Sequence, residues 1–262
     1  MFLTRLLIFY IMDKKLLAKI RQAGQHTDWN EAFGGKSKGN RHLERIVNLA
    51  RFIAQREGAD INIAQAGAWL HDTPLAKGSD YDLEKVRISA IEYINNLGIK
   101  DPNLTETLIA CIVAHEGLVK TRSKEARVVH DADVLEKSGF LGIIRHTWKS
   151  TNLNIFDPER IDEKIVKTIF EHLRSRRKKL YFKTSKQLSQ EFEAALKKAE
   201  KLDNIISVVK KIAHLASQGV ITEKIAQSLK KDLPAQLHDS LMGQLNLEYL
   251  KRKTSRSSSV RS

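Results

Sequence analysis

Apolar residues recur along this chain at spacings of three and four, the pattern of helices that bury one face. In HLERIVNLARFIAQREG (42–58), Ile46, Val47, Leu49 and Ile53 share such a face, and the stretch stops at Gly58 as a helix with a glycine C-cap does. NIAQAGAWLHD (62–72) predicts a second helix ended by Pro74, YDLEKVRISAIEYINNLG (81–98) a third closed by glycine, and LTETLIACIVAHEG (104–117) a fourth. SKEARVVHDADVLEKSGFLGIIRHTW (123–148) predicts a fifth that breaks near Gly139. After NLNIFDPERI (152–161), which reads as a loop, come DEKIVKTIFEHLRSRRKKL (162–180) and one long helix over 184–216. TEKIAQSLKKDL (222–233) and LHDSLMGQLNLEYL (237–250) are two shorter helices. No alternating strand pattern, internal repeat or glycine-rich phosphate loop interrupts this series, so the expected fold class is all-α.

Composition narrows the setting. With 262 residues, 42% of them hydrophobic and 29% charged, the chain reads as a folded, soluble protein of one large or two modest domains. Its single cysteine, Cys111, sits in the apolar run LIACIVAH, which excludes a disulfide framework within the chain and a cysteine-rich zinc site. A reducing, cytoplasmic location is the expectation. MFLTRLLIFYIM is apolar but only about half the roughly 20 residues that a spanning helix needs, so no membrane anchor is expected. Met12 opens MDKKLLAKI, a second candidate start. The expected division is an N-terminal apolar segment over 1–25, a main domain over 26–202, a basic helical region over 203–250 and a disordered basic tail over 251–262.

The net charge of +14 is uneven: residues 1–150 carry 22 basic against 18 acidic side chains, and residues 151–262 carry 23 against 13. RSRRKKL (174–180) and KRKTSRSSSVRS (251–262) have the charge to attract nucleic acid or other polyanions. The competing expectation is a solvated helix face and a tail. No aromatic-rich RNA-binding signature or zinc finger accompanies them.

The chemistry concentrates at AWLHDTPLAK (68–77), where a run that should be buried ends in His71 and Asp72. His42 opens the first helix of this region and Asp133 lies in the fifth, and the apolar pattern turns both inward if these helices surround the second. Two imidazoles and two carboxylates in one core suit a divalent ion with open water positions, Mn2+, Mg2+, Fe2+ or Co2+, in preference to structural zinc. A buried, unpartnered aspartate is costly, and an ion removes that cost. His238 and Asp239 form a second such dipeptide in AQLHDSLMG, with no partner residues behind it, and read as surface or capping residues.

The order His, His-Asp, Asp, in RHLERIVNLA, AGAWLHD and DADVLEKSG, resembles the HD-domain metal-dependent phosphohydrolase superfamily over roughly residues 26–150, with a weaker likeness to about 202. The chain looks closest to the small stand-alone HD hydrolases. The resemblance implies an HD helical bundle with one divalent metal ion held by His42, His71, Asp72 and Asp133. It selects Asp133 over Asp131, since residues two apart on a helix point about 200° apart; Asp131 is left as a helix-start or supporting carboxylate. Asp72 is the expected residue for activating water, with His115 as a proton donor and Glu116 as a base. Lys77, Arg87 and Arg145 are candidate phosphate contacts; His130 and His146 match no ligand position.

Departures from the family pattern sharpen the expectation. LEKVRISAIEYI lacks the additional histidines that build second metal sites in many HD proteins, and HDTPLAKG lacks the acidic pair that follows the motif in alarmone hydrolases. What remains is hydrolysis of a phosphate ester or anhydride of a small nucleotide through a metal-activated water. Two other readings stand beside it. One is an HD nuclease or RNA-end phosphatase directed to nucleic acid by the basic C-terminal helices. The other is a non-catalytic nucleotide- or metal-binding regulatory module.

Overall fold

In the computed structural model, residues 12–78 and 81–251 are described; the apolar run up to residue 11 and the tail from residue 252 lie outside them. Among the described residues the regular structure is entirely helical, as the periodicity predicts. The first five long helices are α1 (Lys14–His26), α2 (His42–Glu57), α3 (Ile61–Leu70), α4 (Leu83–Asn96) and α5 (Pro102–Ala114). They are followed by α6 (Lys124–Glu136), α7 (Gly139–Asn152), α8 (Glu163–Lys178) and α9 (Lys183–Glu200). The series ends with α10 (Ile205–Ser217), α11 (Thr222–Ser228) and α12 (Ala235–Leu245). No helix among the described residues is long and apolar enough to cross a membrane.

The helix ends follow local chemistry. Asp13, Asp60, Asp82, Asp101 and Asp162 each accept a backbone N–H from the first turn of α1, α3, α4, α5 and α8. Gly58 closes α2 in the left-handed conformation at φ 69°. Three expectations change. The second helix ends at Leu70, not at Pro74; His71 is its C-cap, and Pro74 sits in the first turn of a short 3-10 helix over Thr73–Lys77. The long stretch 184–216 is two helices, because the chain turns at Lys201–Asn204 without glycine or proline. The loop after α7 contains a 3-10 turn over Pro158–Arg160.

The hub of the first half is α3, and its small residues explain why. Ala64, Ala66, Gly67 and Ala68 are buried, and a Cβ on Gly67 would lie 2.6 Å from Cys111 Sγ in α5 and 3.1 Å from Val129 in α6. The absence of side chains there lets α2, α5 and α6 close on α3. Ile46, Leu49 and Ile53 of α2, Leu108 and Ile112 of α5 and Val128 and Leu135 of α6 fill the core around it. Each large apolar side chain so buried contributes roughly 1.5–3 kcal/mol. A second core joins Phe140, Ile144 and Trp148 of α7 to Phe170 of α8, Leu196 of α9, Ile212 of α10, Ile225 of α11 and Leu241 of α12. Of the residues named from the sequence, His42, His71, Asp72, His115, Glu116 and Asp133 come together at helix ends of the first core, where Lys149 of α7 and Arg176 of α8 reach them.

Candidate metal centre

Four helix ends meet here. His42 is the first residue of α2, His71 and Asp72 follow the last turn of α3, His115 and Glu116 follow α5, and Asp133 and Glu136 lie in the last turn of α6. All are buried. His71 Nδ1 donates to the Ala68 carbonyl at 2.8 Å and His115 Nδ1 to the Ile112 carbonyl at 2.6 Å. A carbonyl can only accept, so Nδ1 carries a proton in both rings and Nε2 is the ring atom turned toward the centre. His71 Nε2 stands 3.4 Å from Asp72 Oδ1 and 3.6 Å from Asp133 Oδ1, and His115 Nε2 stands 3.5 Å from Asp72 Oδ1. His42 Nε2 meets Asp72 Oδ2 at 2.9 Å.

These spacings test the fit of an ion. Ligand atoms held at about 2.0–2.2 Å around one divalent cation lie roughly 3.0–3.6 Å from one another. His71 Nε2 and Asp72 Oδ1 are buried and make no hydrogen bond among the described residues, and they face each other at such a separation. His42, His71 and Asp72 together can place ligand atoms close enough for one ion. The donor set fits. A second such group, His115, Glu116 and Asp133, is already crowded by the protein's own cations. Glu116 pairs with Lys149 at 2.8 Å, with Lys137 at 3.7 Å and closely with Arg176; Asp133 pairs with Arg176 at 2.8 Å and with Lys137 at 2.9 Å.

Burial works against every charge here, and pairing decides the outcome. Desolvation alone would raise the carboxyls of Asp72, Glu116 and Asp133, yet the surrounding cations hold all three well below the usual carboxylate range: chiefly His71 for Asp72, Arg176 for Glu116 and Lys137 for Asp133. Burial likewise pulls the His71 imidazolium down, and Asp72 and Asp133 outweigh it and carry the group up to about 9.

The structure brings His42, His71, Asp72, Asp133, His115 and Glu116 together. Arg145 is buried nearby, with Nε 3.4 Å from Glu136 and a hydrogen bond to Thr222. Lys77 and Arg87 stand apart on the exposed surface, paired with Glu92 and Glu106. Asp131 is not at a helix start: it lies inside α6 and accepts the backbone N–H groups of Tyr181 and Phe182 where α9 begins. His130 donates to the His115 carbonyl at 2.8 Å, and His146 stacks on His172 at 4.0 Å. His238 is largely buried and Asp239 exposed, away from these residues. A groove of about 530 Å³ lies beside Trp69 and Arg21 and includes none of the six.

Sequence reasoning missed several members. Glu136 and Lys137 follow Asp133 by three and four residues, the spacing of one helix face, and that signal could have found them. Arg45 was available in the same way, one turn after His42. Arg176 was hidden in RSRRKKL, where the expected solvated face is wrong at this position: Arg176 is buried, while Arg174 pairs with Glu200 and Arg177 with Glu193 at 2.8 Å.

Asp28 was missed too. It is buried, and its Oδ2 makes no hydrogen bond among the described residues. Desolvation, aided by Asp72, pushes its carboxyl up to about 7. A folded-state value above the unfolded one means that the folded protein holds a proton the unfolded chain has lost, so this group's contribution to stability falls as pH rises from about 4 through 7. In chelated protein, Asp28→Asn should therefore gain on the wild type by roughly 2–3 kcal/mol between pH 5 and pH 8. Thermal unfolding of both proteins at the two pH values measures this, and a constant difference in Tm would refute it.

Residues 40–138 match the family model of the HD domain, a span that holds the four expected ligands together with His115, Glu116 and Glu136. The likeness to the HD domain thus covers the segment that carries the candidate ligands. Over 140 residues it is 28% identical to the uncharacterized protein YpgQ of Bacillus subtilis; the alignment takes in 49% of this chain and 66% of YpgQ, just under two thirds of its length. Among solved structures, a protein of Lactobacillus plantarum superposes with a TM-score of 0.54 at 23% identity, covering 72% of this chain and 94% of that one. YpgQ solved in complex with ADP superposes with a TM-score of 0.50 at 20% identity, covering 70% and 94%. These structural likenesses establish a shared fold.

Proposed function

We propose that this protein is a divalent-metal-dependent phosphohydrolase whose substrate is a phosphate ester or anhydride of a small nucleotide. The observation that carries the reading is the buried group His42, His71 and Asp72, with Asp133 Oδ1 3.6 Å from His71 Nε2 and with His71 Nε2 and Asp72 Oδ1 facing each other unbonded. The match of residues 40–138 to the HD domain supports the reaction class. A divalent ion held there supplies a Lewis acid and lowers the pKa of a water toward neutrality. The nucleotide assignment draws support from YpgQ, which has been solved with ADP.

The remaining roles belong to the chain's own side chains. Asp72 turns one oxygen to His42 and the other to the point it shares with His71 and His115, where it would hold the ion and orient a water. His115, with Nδ1 committed to Ile112, presents Nε2 for a proton to the leaving oxygen. Glu116 suits a different task from the base expected of it: its pairing with Arg176, Lys149 and Lys137 weakens it as a base and makes it the holder of those cations. Lys137 and Lys149 then take the phosphate-facing role assigned from sequence to Lys77 and Arg87. Arg174, Arg176 and Arg177, the arginines of the basic run, are each engaged by carboxylates, so among the described residues this run offers no unpaired arginine to a polyanion.

The test is a Mn2+-supplemented screen of nucleoside mono-, di- and triphosphates that scores inorganic phosphate and pyrophosphate separately. Turnover of at least one of these compounds, abolished by chelator, is the expected result. Binding of Mn2+ with no turnover of any nucleotide, and turnover of a polymer in its place, would replace this reading with the nuclease one.

A further inference from the structure

Resting on the metal-centre reading above, we infer that Glu223 is a positioning residue that fixes His42 from outside the HD domain, through Arg45 and Glu136. Glu223 lies in α11, far beyond the matched span of 40–138. Its carboxylate accepts the backbone N–H of Arg41 at 3.1 Å and pairs closely with the Arg45 guanidinium. Arg45 in turn donates to Glu136 Oε1 from Nε at 3.0 Å and from a terminal nitrogen at 2.8 Å. The other Glu136 oxygen lies 3.1 Å from His42 Nδ1. Glu223, Arg45, Glu136 and His42 thus form a continuous line of close polar contacts, hydrogen-bonded as far as Glu136 and ending in a 3.1 Å approach to a candidate ligand.

The need for outside help is visible at the start of α2. His42 is its first residue, and Arg41 occupies the N-cap with no side-chain hydrogen bond to the helix. Such an end leaves N–H groups without partners and carries a partial positive charge, and a carboxylate satisfies both demands. Glu223 supplies it. Thr222 adds to the clasp, accepting from Asn40 at 3.3 Å and from Arg145 at 3.4 Å. Arg45 is 3% exposed and Glu136 is fully covered, so neither can be replaced by solvent if the line is cut. Held by Glu223, the guanidinium keeps Glu136 aligned on Nδ1 of His42, which leaves Nε2 as the ring atom turned to the centre.

Glu223→Gln tests this, because it keeps an acceptor for the Arg41 N–H and removes only the charge facing Arg45. Metal binding is read by Mn2+ titration calorimetry and by the visible spectrum of Co2+, which reports the ligand field without turnover. Glu223→Gln should weaken Mn2+ binding about tenfold and alter the Co2+ spectrum, while Glu136→Gln, one step nearer, should cost up to about a hundredfold. Asp232→Asn, which cuts the Lys211 pair of the same C-terminal region at 2.7 Å, should leave affinity and spectrum as in the wild type. Wild-type affinity and spectrum in folded Glu223→Gln would overturn the inference, as would an equal loss in Asp232→Asn. A wild type that takes up neither ion would overturn the metal-centre reading and this inference with it.

Discussion

Replacement of His71 and Asp72 together by alanine is expected to abolish both metal uptake and phosphate release. The double variant removes the two atoms that face each other unbonded at 3.4 Å, and it strips His42 and His115 of the carboxylate they share. Phosphohydrolysis should fall by at least about a thousandfold, because the contribution lost is the lowering of water's pKa from 15.7 toward 7. A thermodynamic readout independent of turnover accompanies it. With Mn2+ at one hundred times its dissociation constant, the wild type gains about 2.7 kcal/mol. For a chain of this size that gain raises Tm by roughly 5–10 °C. The double variant should show no such rise. Retention of both the Mn2+-dependent shift and the activity would remove these residues from the centre.

What the sequence disclosed and what it withheld differ by kind of interaction. His42, His71, Asp72 and Asp133 were legible because each sits at a fixed place relative to a helix end, and the hydrophobic period locates those ends to within a few residues. Even so, the boundary of α3 moved to Leu70, since four small residues carry no period strong enough to say where the last turn closes. The division of 184–216 into α9 and α10 was invisible for a related reason: Lys201–Asn204 contains neither glycine nor proline, and the turn is imposed by packing into the second core. Long-range pairs were the least accessible. Nothing local separates Glu223 from the other glutamates of the C-terminal half, because its partners Arg41 and Arg45 lie about 180 residues earlier. Asp28 likewise stands in a π-helical turn that follows α1 ahead of the motif, where burial depends wholly on tertiary contact.

Arg176 shows how far tertiary context can reverse a reading of composition, and its replacement by methionine is expected to destabilise the protein by about 3–5 kcal/mol. In RSRRKKL it is one arginine among three, yet only Arg176 turns inward, donating to Asp133 at 2.8 Å, to the His115 carbonyl at 3.3 Å and closely to Glu116. Methionine preserves much of the volume and leaves two carboxylates in a buried site with less positive charge between them. For a chain of this size the loss corresponds to a fall in Tm of roughly 6–20 °C. Arg174→Met and Arg177→Met remove more exposed pairs and should each cost under about 1 kcal/mol. Adding Glu116→Gln to Arg176→Met should recover part of the loss, since one of the stranded charges is then gone; recovery in this double-mutant cycle separates lost charge balance from lost packing. Equal Tm values for Arg176→Met and Arg174→Met would contradict the buried pairing. An arginine that served a polyanion would behave in the opposite way: its loss would leave Tm unchanged and reduce salt-dependent retention on nucleic acid.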